Sequence, residues 1–157
     1  SDYSLVESLK LIEPRLKRIT TIVVSGLPIL YGDIGLQRLV PLSLMGEGLN
    51  RLVSILLTLA TNSGGLVLID ELENGLHHSV LSNIWQVIND AAHRFNVQVI
   101  ATTHSYECIQ SAHTAFSDNG NYNFRLHRID HLENRFKAVS YDQETLETAI
   151  NIPFEVR

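Results

Sequence analysis

Between Leu66 and Thr102 the chain spells out strand, helix and strand in an order that few folds accept. Leu66 to Ile69 is a four-residue apolar run without alternation, the pattern of a strand buried on both faces, as in a parallel sheet. From about Ser79 to Phe95, the residues Val80, Leu81, Ile84, Trp85, Ile88, Ala91, Ala92 and Phe95 recur at the spacing of one helical face. Trp85 on that face reads as core. Asn96 ends the helix, and Val97 to Thr102 forms a second buried strand. A βαβ unit of this kind implies parallel strands and a right-handed crossover, which places the chain in the α/β class.

The rest of the chain can be arranged around that unit. Leu5, Val6, Leu9 and Ile12 suggest a helix over residues 4–12 that Pro14 ends. Ile19 to Val24 and Leu27 to Tyr31 read as two strands joined at a tight Ser25-Gly26 turn, with Pro28 suiting an edge or a bulge. Leu49, Leu52, Val53, Leu56, Leu57 and Ala60 mark one face of an amphipathic helix. Asn74-Gly75 predicts a turn. Ser105 can cap a helix carrying Cys108, Ile109, Ala112 and Phe116. Strands at Asn123 to Ile129 and Phe136 to Tyr141, joined through His131 to Asn134, form a second hairpin, and Asp142 caps a last helix with Leu146, Ala149 and Ile150.

Composition sets the limits. A chain of 157 residues with 45% apolar and 18% charged residues fits a single globular domain over residues 1–157. A net charge of −5 disfavours general attraction to nucleic acid, and Arg15, Lys17 and Arg18 read as a solvated face. The single cysteine, Cys108, excludes an internal disulfide and suits a reducing compartment. No apolar run approaches the ~20 residues that span a bilayer, and the N-terminus has no signal-peptide layout. The expectation is a soluble cytoplasmic protein with no membrane partner.

Chemistry concentrates at the strand ends. Asp70 and Glu71 follow the first strand directly, where open α/β sheets bind their ligands. Nucleotide hydrolases keep a magnesium-organising aspartate there, and a second acid can take a proton from water. A strand running into a polar turn is the alternative. Thr103-His104-Ser105 follows the second strand, so His104 falls at the same sheet edge as the acids. Ser43, Gly46 and Gly48 precede the helix beginning near Leu49. Free amides and the helix dipole there favour an anion, although a glycine-containing loop opening a core helix has the same look. His127 and His131 on one strand would lie ~13 Å apart, too far to share an ion.

Three motifs, Ser43-Leu-Met-Gly-Glu-Gly48, Leu66-Val-Leu-Ile-Asp-Glu71 and Thr102-Thr-His-Ser105, stand in an order that resembles the second half of an ABC-type ATPase head. More closely, Ile69 to His77 and Val97 to Ser105 resemble AAA-type ATPases of ABC/SMC-like architecture in prokaryotic defence systems, related to the ATPase domain of overcoming-lysogenization-defect nucleases. The resemblance implies a P-loop NTPase-like α/β fold, the C-terminal half of an ABC-type head, with a parallel βαβ core and flanking β-hairpins. It implies ATP and Mg2+ as cofactors. Asp70 takes the place of the Walker B aspartate that organises magnesium, Glu71 of the general base, and His104 of the switch histidine. Ser43, Gly46, Glu47 and Gly48 match the signature loop that contacts ATP held by a second subunit. Asn74 to His77 match the loop that crosses the dimer interface. The partners implied are therefore a second copy, in a dimer or higher oligomer, and a nuclease; DNA handling is compatible but not indicated by charge.

Two departures qualify the match. Leu44 stands where the family commonly has its signature serine. And no G-x-x-x-x-G-K-[ST] loop occurs, since none of Lys10, Lys17 and Lys137 follows a glycine. The expectation is the C-terminal part of an ATPase, inactive without a P-loop half that becomes its partner. A separate fragment or a chain that lost its P-loop would read the same way. The competing functions are a non-catalytic dimerisation or scaffold module, and a metal-dependent nuclease using Asp70, Glu71 and Glu73.

Overall fold

The computed structural model describes residues 5–118, 120, 122–133 and 135–152. A short helix, α1 (Leu5–Leu9), precedes a two-stranded hairpin, β1 (Arg18–Val24) and β2 (Leu27–Asp33). Ser25 and Gly26 make its turn, both with positive φ (52° and 82°), the backbone a two-residue hairpin turn of the primed type requires. A two-residue strand, β3 (Val40–Pro41), then pairs with Tyr31 and Gly32. This puts β2 in the middle of three strands, yet β3 stops short of Pro28. The proline's missing N–H therefore interrupts no ladder.

After a 3₁₀ turn at Leu42–Leu44 comes helix α2 (Glu47–Thr61), then strand β4 (Leu66–Ile69), helix α3 (Leu81–Phe95) and strand β5 (Gln98–Ala101). β4 and β5 are parallel, in the register Leu66↔Gln98 to Ile69↔Ala101. Asn96 ends α3 in the left-handed region (φ 52°), its N–H bonded back to Ala92 and His93. Helix α4 (Tyr106–Asp118), the hairpin β6 (Leu126–Leu132) and β7 (Arg135–Tyr141), and helix α5 (Gln143–Asn151) complete the chain. Ser105 Oγ accepts from the Cys108 N–H at 3.1 Å and so caps α4. Asp142 and Thr145 form a reciprocal capping box on α5.

One core cluster joins the inner faces of α2, α3 and α4 to Val67 and Ile69; Ile109, Tyr141, Leu146 and Ala149 form a smaller one under α5. Trp85 belongs to the core, its indole N–H donating to the Cys108 carbonyl at 3.2 Å. Several expectations need correction. Helix α1 ends at Leu9, and Ile12 lies in the turns beyond it. On α2 it is Ile55 and Leu59 that are buried beside Leu49, Leu52, Val53 and Leu56, whereas Leu57 and Ala60 are exposed. His131 lies within β6, not in the connection.

The strands β4 and β5 are also not buried on both faces. Val67 and Ile69 point into the core, but Leu66, Leu68 and Ile100 are 52%, 71% and 51% exposed. An aliphatic sheet face this open carries the apolar sequence of a covered strand without the cover.

Candidate functional site

The parallel register carries both strand ends to one rim. Ile69 and Ala101 are the last paired residues, so Asp70 and Thr102 emerge side by side. Thr102 Oγ1 donates to Asp70 Oδ1 at 2.5 Å and accepts the Glu71 N–H at 2.9 Å. The backbone continues the union past the strands, with Thr102 N–H donating to the Ile69 carbonyl and Leu72 N–H to the Thr102 carbonyl. Asp70, Glu71 and His104 are all exposed there.

Glu71 holds an unusual backbone. Its φ is +45°, a left-handed conformation in which a bulky side chain costs ~1–3 kcal/mol unless its surroundings over-determine it. They do so here. Thr102 holds its N–H, and its carbonyl accepts from Asn74 N–H at 3.0 Å and from Arg51 Nη2 at 3.1 Å. The same Arg51 nitrogen donates to the Asp70 carbonyl. The left-handed turn redirects the chain at the strand's end.

Glu73 ties the two loops together. Its Oε1 accepts the His104 backbone N–H at 3.0 Å. Burial raises its carboxyl pKa, but hydrogen bonds from its own backbone, from Thr103 and from the His104 and Ser105 backbones outweigh this and hold it below the ordinary range. One oxygen of the carboxylate thus serves the His104 amide leading into α4, while Oε2 is enclosed without a hydrogen-bond partner among the described residues. The sequence alone gives the side chains of Arg51 and Thr102 no role. It gives Glu73 only that of a nuclease acid.

The glycine segment at the start of α2 sits against the turn at Asn74-Gly75. A Cβ on Gly48 would lie 2.8 Å from the Gly75 carbonyl oxygen, and one on Gly75 would lie 2.8 Å from Glu47 Cγ. Gly46, with φ 106°, provides the backbone that opens the helix and caps it with no side chain. Ser43 and Leu44 are exposed on the preceding 3₁₀ turn, Leu44 at 75%. The rings of His77 and His78 lie 4.2 Å apart, and His77 Nδ1 bonds Ser79 at the start of the turn that leads into α3. His127 bonds Ser140 and His131 packs on Phe136, so each is occupied within the β6–β7 hairpin.

Among the described residues no group of three or more His, Cys, Asp or Glu side chains could by itself hold a metal ion. Magnesium takes one or two carboxylates and completes its shell with water and phosphate oxygens. Asp70, with one oxygen held by Thr102, can supply such a carboxylate. No described helix is long and apolar enough to cross a membrane.

Comparison with known proteins agrees with the fold. Residues 6–109 match the family described as "AAA domain, putative AbiEii toxin, Type IV TA system", and the chain belongs to that family. An "ATP/GTP phosphatase" of Helicobacter pylori (strain ATCC 700392 / 26695) is 40% identical over 75 residues, which take in 45% of this chain and 20% of that protein. The chain thus matches about a fifth of that relative's length. Two solved structures share the fold. One, from work on ATP-driven dimerization and DNA-stimulated activation of SMC ATPases, has a TM-score of 0.64 at 14% identity over 94% of this chain and 86% of its own. The other, an SMC head bound to the C-winged helix domain of ScpA, has a TM-score of 0.62 at 15% identity over 93% of this chain and 42% of its own. The architecture is that of a P-loop NTPase of the SMC-head type.

Proposed function

We propose that this chain is the C-terminal part of an ATP-hydrolysing ABC-type AAA ATPase, working only with a half that carries the P-loop. The observation that carries this reading is the shared rim, where Thr102 joins Asp70 and Glu71 at the end of β4 to the segment bearing His104. Phosphoryl transfer asks mainly for positioning and charge stabilisation. Glu71 orients the attacking water and takes its proton. His104 contacts the terminal phosphate. Asp70 holds magnesium, which when bound neutralises charge on the phosphate oxygens. Ser43 to Gly48, backed by the Asn74 to His77 turn, faces the nucleotide of a second copy in a dimer. The relative's printed phosphatase activity and the ATP-driven dimerisation printed for an SMC ATPase fit this assignment.

The site for the missing half is open. β5 pairs with β4 on one edge and with no described strand on the other. That free edge borders a groove of about 920 Å³, whose lining includes Val99 to Thr103, Leu126, His127, Ile129, Trp85 and Phe116. A P-loop strand inserted there would extend the parallel sheet, and the helix after it would cover Leu66, Leu68 and Ile100. The test compares full-length protein with this chain alone. Magnesium-dependent ATP turnover is expected only from the former, and it is lost in Asp70→Asn. Full-length protein that binds no ATP, or turns none over with its natural partners present, would favour the scaffold reading.

A further inference from the structure

We infer that Arg51 is a positioning residue for Glu71, tying the aim of that carboxylate to the place of helix α2. The inference rests on the proposed ATPase reading and deepens it. Arg51 lies one helical turn beyond Glu47, on the helix that the Ser43 to Gly48 segment opens. Its guanidinium crosses to the end of β4, where Nη2 donates to the Asp70 and Glu71 carbonyls. The ion pairs among the described residues do not include Arg51. Its Nε is enclosed without a hydrogen-bond partner among the described residues. Its charge is spent on backbone carbonyls at the one place where the acid pair's chain turns left-handed.

A carbonyl fixed by a charged donor constrains the peptide plane that follows it, and with it the direction of the side chain. If α2 shifts, Arg51 shifts with it, and so does the Glu71 peptide. The segment proposed to meet a second subunit's nucleotide and the proposed general base are thereby joined through one side chain about a helical turn away. Arg51 touches no reacting atom. It acts through Glu71.

The test uses full-length protein and measures ATP binding and single-turnover hydrolysis for Arg51→Met, Arg51→Lys, Glu71→Gln and the double variant Arg51→Met with Glu71→Gln. Arg51→Met is expected to bind ATP within about twofold of wild type and to hydrolyse it at least ~10-fold more slowly at saturating ATP. Arg51→Lys, whose ammonium can reach one carbonyl, should fall between the two. The double variant should be no slower than Glu71→Gln alone, because residues acting as a unit are not additive. Wild-type turnover in Arg51→Met, with Glu71→Gln inactive, would overturn the role of Arg51 and leave the ATPase reading in place. So would a loss of ATP binding in Arg51→Lys that matches its loss of turnover, the mark of a merely structural role. Unimpaired hydrolysis by Glu71→Gln would overturn both.

Discussion

Three side chains to which the motifs assign no role hold the site in shape, and each does so through the backbone. Thr102 takes the Glu71 N–H, Arg51 takes the Asp70 and Glu71 carbonyls, and Glu73 takes the His104 N–H. The Glu73 carboxyl lies below its ordinary value, so its contribution to stability is present above the unfolded-state value near 4.5 and is lost as pH falls through the folded value. Acid melts should therefore show wild type losing stability more steeply than Glu73→Gln below about pH 4.5, with the two curves parallel at neutral pH. The glycines at the start of α2 give a second prediction. Gly48→Ala drives a methyl against the Gly75 carbonyl oxygen, 2.8 Å away, and urea denaturation should show a loss of ~1–3 kcal/mol. At this scale the acids and the histidine could be placed from sequence, because each falls within three residues of the end of a strand-like apolar run. Arg51 and Thr102 could not, since side-chain bonds to partners 19 to 32 residues away leave no periodic trace.

The elements tell a related story about cover. Helix α3 shows its periodicity plainly because one face packs on the sheet and the other meets solvent. Helix α2 is apolar on too many sides for its inner face to be read, and the structure turns Ile55 and Leu59 inward in place of Leu57 and Ala60. The runs in β4 and β5 correctly indicate parallel strands, but their unbroken apolarity describes a sheet covered on both faces, whereas only one face is covered by the described residues. Leu68→Thr distinguishes the two situations. In this chain, where Leu68 is 71% exposed, it should change stability by no more than ~0.5 kcal/mol. In full-length protein, with the face covered, thermal or urea unfolding should show a loss of ~2 kcal/mol or more. Equal, small effects in both would mean that nothing packs on this face.

On the scale of the whole molecule, the parallel pair brings together residues more than thirty positions apart in sequence, while the two hairpins and the last helix frame it. Membership of the AAA family and the SMC-head fold agree with this α/β architecture. The sequence contains no P-loop motif. The central claim is that Glu71 serves hydrolysis and not nucleotide binding. The direct measurement is ATP binding and ATP turnover, side by side, in full-length wild type and Glu71→Gln. The account predicts binding within about twofold of wild type and turnover reduced at least ~100-fold, the lower end of what a positioned general base contributes. Turnover at the wild-type rate in Glu71→Gln would contradict it.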